Sequence, residues 1–160
     1  MRTETGNGSS PGTSTHLVGQ HPLQVATFML NGEMFGIEIL QVQEIQLPQQ
    51  VTPVPRAPAH VLGLISLRGQ IITLIDLRKR LGMTREKPIG KPFHIVINTP
   101  LHIACFEVDE IGDVIDVPPN EFHRPPDSIK AIDAALLRGV HPMKHCVLSV
   151  LDVEKVVETN

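Results

Sequence analysis

The sequence predicts a mainly β fold: about ten short strands in two groups, interrupted every six to ten residues by turn residues. Three observations carry this. The turn punctuation is regular, and its spacing suits a barrel or a sandwich. Several runs, notably Ile71 to Ile75 and Cys146 to Leu151, are apolar on both faces. A strand of an isolated small barrel alternates, so a strand without alternation needs cover on its outer side, which two barrels packed together would supply. Finally, 41% of residues are hydrophobic while tryptophan and tyrosine are absent and phenylalanine occurs five times, so the core has to be aliphatic. A chain of 160 residues has room for one domain or two small ones sharing a core.

The elements follow in order. Residues 1–22 are rich in Gly, Ser, Thr, Asn and Pro and bury too little to offset the entropy of ordering, so a tail is expected. Gln24 to Leu30 and Glu33 to Ile39 flank Asn31-Gly32, a two-residue hairpin signal because both turn positions need positive φ. Val42 to Leu47 is a third extended run. Val51 to Pro58 carries three prolines and reads as a rigid extended connection in preference to a polyproline ligand. Val61 to Asp76 forms a hairpin turning at Arg68-Gly69, and 77–82 a helical turn stopped by Gly82, with Lys79 and Arg80 on a solvated face. The polar stretch 83–92 divides a first β-subdomain (about 23–82) from a second (about 93–152). The second holds Phe93 to Asn98, His102 to Val108, Ile111 to Val117 and a strand pair between Val140 and Val150. Short helices are expected near 128–136 and 153–158, the latter capped by Asp152.

Composition narrows the function. A formal net charge of −3 with no basic stripe and no aromatic platforms argues against nucleic-acid binding. No run approaches the roughly 18 apolar residues needed to span a bilayer, and no signal pattern opens the chain. Cys105 and Cys146 sit in apolar runs and read as buried thiols of a reducing compartment, so a soluble intracellular protein is expected. Among eight histidines the closest ligand spacings are His102-x-x-Cys105 and His141-x-x-x-His145-Cys146, which do not converge on a tetrahedron from strands; no metal and no cofactor are expected. Asp76, Asp109, Glu110 and Asp113 pair on paper, but at strand ends and turns such residues cap backbone N–H groups, so no catalytic set is expected. The glycines read as bulges, turns and close approaches, and none belongs to a phosphate-binding loop.

Arg68 stands out. At the tip of a rigid hairpin its guanidinium must face water or a partner, and a planar, always-charged fork suits recognition of a carboxylate. Around it the chain resembles the CheW family of bacterial chemotaxis coupling proteins. Phe35 to Ile45 is similar to that family's first segment. Thr52 to Pro58, Gly63 to Leu77 with Leu67-Arg68-Gly69, Val108 to Val114, Leu137 to Val140 and Leu148 to Val153 follow in the same order and spacing. Each motif is common alone; six in register are specific, and they cover about residues 23–157.

The resemblance implies two five-stranded SH3-like β-barrel subdomains sharing a hydrophobic core, and a non-enzymatic adaptor. The expected partners are methyl-accepting chemoreceptors, held at their signalling tips, and the regulatory domain of the histidine kinase CheA. Alternating contacts with that domain would build rings or arrays, and the adaptor would be cytoplasmic, recruited to membrane-bound receptors. It also implies a receptor-binding surface of Arg68, Val42 and Glu44, with Gly63 beside them; Val42 and Glu44, two apart on a strand, are expected to share a face. Ser66 stands where the family commonly has asparagine. Two alternatives remain at this point: an adaptor of a dedicated non-swimming chemosensory pathway, or a small metabolite-binding or hydrolytic β-barrel. A fused receiver domain is not expected, since no stretch follows residue 160.

Overall fold

A computed structural model describes residues 21–83, 90–127 and 132–158. Ten strands occur in chain order: β1 (Leu23–Leu30), β2 (Glu33–Glu38), β3 (Val42–Gln46), β4 (Val61–Leu67), β5 (Gln70–Asp76), β6 (Phe93–Asn98), β7 (Ile103–Val108), β8 (Glu110–Val117), β9 (Leu137–Pro142) and β10 (Val147–Leu151). Two short helices, α1 (Leu77–Arg80) and α2 (Val153–Val157), follow β5 and β10, each capped by an aspartate, Asp76 and Asp152. The helix expected near 128–136 is a 3-10 turn over Ala134–Leu136; residues 128–131 lie outside the described residues, as do most of the expected tail and the connector residues 84–89.

The strands form two five-stranded sheets, β8-β1-β2-β10-β9 and β3-β6-β7-β5-β4. In each, one short bridge draws the two edges together: Thr52 pairs with Leu64 of β4, and His123 with Val140 of β9. Both sheets therefore curl into barrels. Their membership corrects the division into subdomains at 23–82 and 93–152. The second barrel is contiguous, β3 to β7, and it is inserted between β2 and β8 of the first, so the first barrel draws strands from both ends of the chain. The physical reason is the pair of parallel contacts, β2 with β10 and β5 with β7, which join strands distant in sequence. The two barrels share one connectivity: hairpin, capped helix and parallel crossover recur in each, circularly permuted.

The absence of alternation in the sequence now has its explanation. Ile65, Leu67, Ile72, Leu74, Val96 and Cys105 fill the second barrel, and Val25, Val117, Leu148 and Val150 the first. Phe28, Leu30, Phe35 and Ile37 from the first barrel meet Ile75, Ile95, Ile97, Phe106 and Val108 from the second in a larger core between them. The Phe28 and Phe35 rings stack there with centroids 6.2 Å apart. Leu77, Leu81, Val153 and Val156 bring both helices onto the same core.

Two surface expectations need correcting. Arg80 is not on a solvated face: its Nε donates to the Val156 carbonyl at 2.8 Å and its Nη2 to the carbonyls of Lys155 and Glu158 at 2.9 Å, closing the open end of α2. Cys146 is exposed, because the apolar run it begins is preceded by a turn in which Met143 donates to the Cys146 carbonyl. Cys105 is buried, and burial first, then the negative charge of Glu107 and Glu44, pushes its thiol up to about 12. A thiol with that pKa is about one part in ten thousand thiolate at pH 8, and the thiolate is the nucleophile. Iodoacetamide at pH 8 should therefore label one cysteine per native chain, Cys146, and both after unfolding. Two fast-reacting thiols in the native protein would overturn this.

Candidate partner-binding site

The Arg68 tip is built by two successive residues of positive φ, Arg68 at 51° and Gly69 at 82°, between the paired Leu67 and Gln70. That is a type I′ turn, whose twist matches the flanking strands and leaves the arginine little freedom at its backbone. The same geometry recurs at Asn31-Gly32. Arg68 Nη1 reaches Glu44 Oε2 at 2.7 Å, with side chains 74% and 21% exposed. Since β3 and β4 are opposite edges of their sheet, this ion pair spans the barrel's seam. An exposed pair of this kind contributes at most about 1 kcal/mol. Most of the guanidinium remains open to a second carboxylate.

The other two expected contact residues sit elsewhere. A bulge at Gln43 makes Val42 face Ile97 and Glu44 face Val96, adjacent residues of β6 that point to opposite sides. Val42 and Glu44 thus do not share a face. Val42 packs against the central core, while Glu44 turns toward the mouth of the second barrel. Gly63 is buried at the far end of β4 from the tip, with φ of 147°, and a Cβ there would lie 2.4 Å from the Thr52 carbonyl oxygen and 2.7 Å from Val51 Cγ1. It permits the bridge that closes the barrel and is not beside Arg68. Arg68 and Glu44 are brought together; Val42, on the central core, and Gly63, against Thr52, are not part of that contact. Ser66 is exposed, opposite exposed Ile71 on the outer face of the same hairpin.

The sequence reading missed the polar cluster between the barrels. Arg78, 1% exposed, bonds Asp109, and its Nε and Nη2 lie 3.7 Å from Asp76 and 3.9 Å from Glu107. Asp76 also accepts from the backbone N–H of Arg78 and Lys79, and Asp109 accepts from the N–H of Asn31 in the other barrel at 2.8 Å. These carboxylates are therefore structural caps and ion partners. The available signal was spacing: Arg78 lies three residues before Leu81, on the helix face that Leu77 and Leu81 bury. His102 pairs with Glu154 at 3.1 Å, and among the described residues no three His, Cys, Asp or Glu side chains converge as metal ligands.

The family model of the CheW-like domain matches residues 24–160. The chain belongs to the CheW family. It is 35% identical to the chemotaxis protein CheW of Treponema pallidum over 143 residues, 86% of this chain and 84% of that one. It is 30% identical to that of Bacillus subtilis, covering 84% and 86%. The crystal structure of the scaffolding protein CheW from Thermoanaerobacter tengcongensis superimposes with a TM-score of 0.78 at 28% identity, covering 87% of this chain and 94% of that one. The two barrels are thus the CheW fold, and this CheW-family chain is a chemotaxis scaffold. No helix among its described residues is long and apolar enough to cross a membrane.

Proposed function

We propose that this CheW-family chain works without catalysis, in the cytoplasm, bridging the signalling tips of chemoreceptors to the regulatory domain of the histidine kinase CheA. Binding two partners at once raises their local concentration and fixes their geometry, so that kinase output follows receptor state. The observation that carries the receptor contact is the open guanidinium of Arg68 on a rigid turn, 74% exposed although already paired to Glu44. Its partner chemistry is a carboxylate at the receptor tip, bound by a charge-assisted bond and surrounded by apolar contacts. Glu44 aims the arginine, and Val42 and Gly63 hold the strand and the barrel that present it.

The test is reconstitution of kinase activity with cognate receptor and Arg68→Ala. Receptor affinity should fall about tenfold or more, as for the loss of a charged hydrogen bond, and receptor control of the kinase should fall with it. The urea midpoint should stay within error, since the exposed pair contributes little to stability. Unchanged co-sedimentation with receptor would remove Arg68 from the site. Val42→Lys is a poorer probe, because Val42 packs on the core and its loss would also cost stability.

A further inference from the structure

Among the described residues three that are not glycine have positive φ: Asn31, Arg56 at 62° and Arg68 at 51°. Asparagine tolerates this region, whereas an arginine there is strained and persists only where its surroundings hold it. The proposed function uses Arg68 and leaves Arg56 unexplained. Arg56 stands in the turn 54–57, where the Ala57 N–H donates to the Val54 carbonyl at 3.3 Å. Proline in second place and a positive φ in third follow the pattern of a type II turn, whose third position normally takes glycine or asparagine. Pro53, Pro55 and Pro58 stiffen the segment, and backbone bonds tie Thr52 to Leu64 and His60 to Asp76 at its two ends. Arg56 is exposed. Arg68, Arg78 and Arg138 have carboxylate partners among the described residues; Arg56 is not one of them.

The register places this turn. Thr52 pairs antiparallel with Leu64, so the chain after it runs back along β4 toward Val61, away from the tip that Arg68 occupies. β4 has seven residues, so the two arginine turns stand at opposite ends of the second barrel, roughly 20 Å apart. Gln46, His94, Glu107 and Asp76 are cross-strand neighbours at the Arg56 end, and Leu47, next after Gln46, is exposed there. Val54, in the turn itself, is exposed as well. A rigidly based guanidinium with open aliphatic side chains at the same end has the make-up of a binding anchor.

We propose that Arg56 anchors a second docking surface, which takes a carboxylate of the partner opposite the receptor tip. A scaffold that holds two partners at once needs two sites far enough apart that the partners do not collide, and the two arginine turns supply them. That this partner is the regulatory domain of the kinase rests on the proposed function. The backbone strain at Arg56 is retained because it fixes the base from which the guanidinium reaches out, so less freedom is lost on binding.

The test is calorimetric titration of the kinase's regulatory domain, and separately of a receptor signalling-tip fragment, into wild type, Arg56→Asn, Arg56→Lys and Arg68→Ala. Arg56→Asn should weaken regulatory-domain binding about tenfold or more, as for the loss of a charged hydrogen bond, and leave the receptor fragment's affinity unchanged. Arg68→Ala should do the reverse. Arg56→Lys keeps the charge without the planar fork and should recover only part of the loss. The urea midpoint of Arg56→Asn should equal or exceed that of wild type, because asparagine relieves the strain. A midpoint that falls instead would make Arg56 a structural residue and overturn the proposal. Equal regulatory-domain affinity in wild type and Arg56→Asn also overturns it, as does a loss confined to the receptor fragment. If wild type binds no regulatory domain, the bridge itself is overturned and the Arg56 contact with it, an outcome distinct from binding that ignores Arg56→Asn.

Discussion

Arg78→Ala is expected to lower the unfolding free energy by about 3–5 kcal/mol, the cost of breaking a buried ion pair from one side. Arg78 faces three acidic side chains, Asp76, Asp109 and Glu107, in a site from which water is nearly excluded. Removing the guanidinium leaves their charge uncompensated and opens a cavity beside Leu77 and Leu81. Because domains of this kind are stable by only about 5–15 kcal/mol, the loss is a large share of the whole. Asp109 joins this cation to the Asn31 turn, so the damage reaches both barrels. Urea unfolding of wild type, Arg78→Ala, Asp109→Asn and the double variant would measure it. The double variant should cost less than the sum of the singles, because each removes what the other leaves unpaired. A midpoint unmoved by Arg78→Ala would mean that the carboxylates are solvated.

Gly63→Ala should be the other severe substitution, and it separates two roles for this residue. The new methyl would meet the Thr52 carbonyl oxygen at 2.4 Å, and that oxygen cannot withdraw because it accepts from the Leu64 N–H at 2.8 Å. Overpacking and the strain of a φ of 147° each cost about 1–3 kcal/mol. Gly69→Ala is the control: φ is 82° but nothing lies within 4 Å of its Cβ position, so only backbone strain of about 1–2 kcal/mol applies. If Gly63→Ala keeps its thermal midpoint and loses receptor binding, Gly63 is a contact residue after all. If stability falls first and binding with it, its part is to let the barrel close.

What could be read from the chain was local. Asn31-Gly32 and Arg68-Gly69 announced their turns because only a few residues tolerate two successive positive φ values, and the limits of the strands they join followed to within a residue, whereas β9 begins at Leu137, three residues before the expected Val140. The runs apolar on both faces announced a second layer. The partition of strands was not legible, since nothing near Phe35 says that it pairs with Ser149. Nor was the bulge at Gln43, which moves Glu44 to the other side of β3 from Val42 and so remakes the candidate site. Arg78 was hidden by its neighbours: in a row with Lys79 and Arg80 it reads as one more surface cation, and only the carboxylates from β7 and the β7–β8 turn show why it is inside. Arg80 was hidden likewise, its partners being carbonyls of a helix more than seventy residues away.

The insertion of one barrel within the other sets the order in which the molecule can be completed on the ribosome. β3 to β7 emerge as an unbroken run and can close on themselves, whereas β1 and β2 come out first and wait for partners that come out last. Between the appearance of Phe35 and that of Ser149 the ribosome needs on the order of ten seconds. Through that interval Val25 on β1 waits for Val117, Leu148 and Val150, the other buried residues of the first-barrel core, and a two-stranded hairpin is marginal alone. The earliest part of this scaffold to be made is thus the last to be sheltered. Chaperone demand should concentrate on β1 and β2.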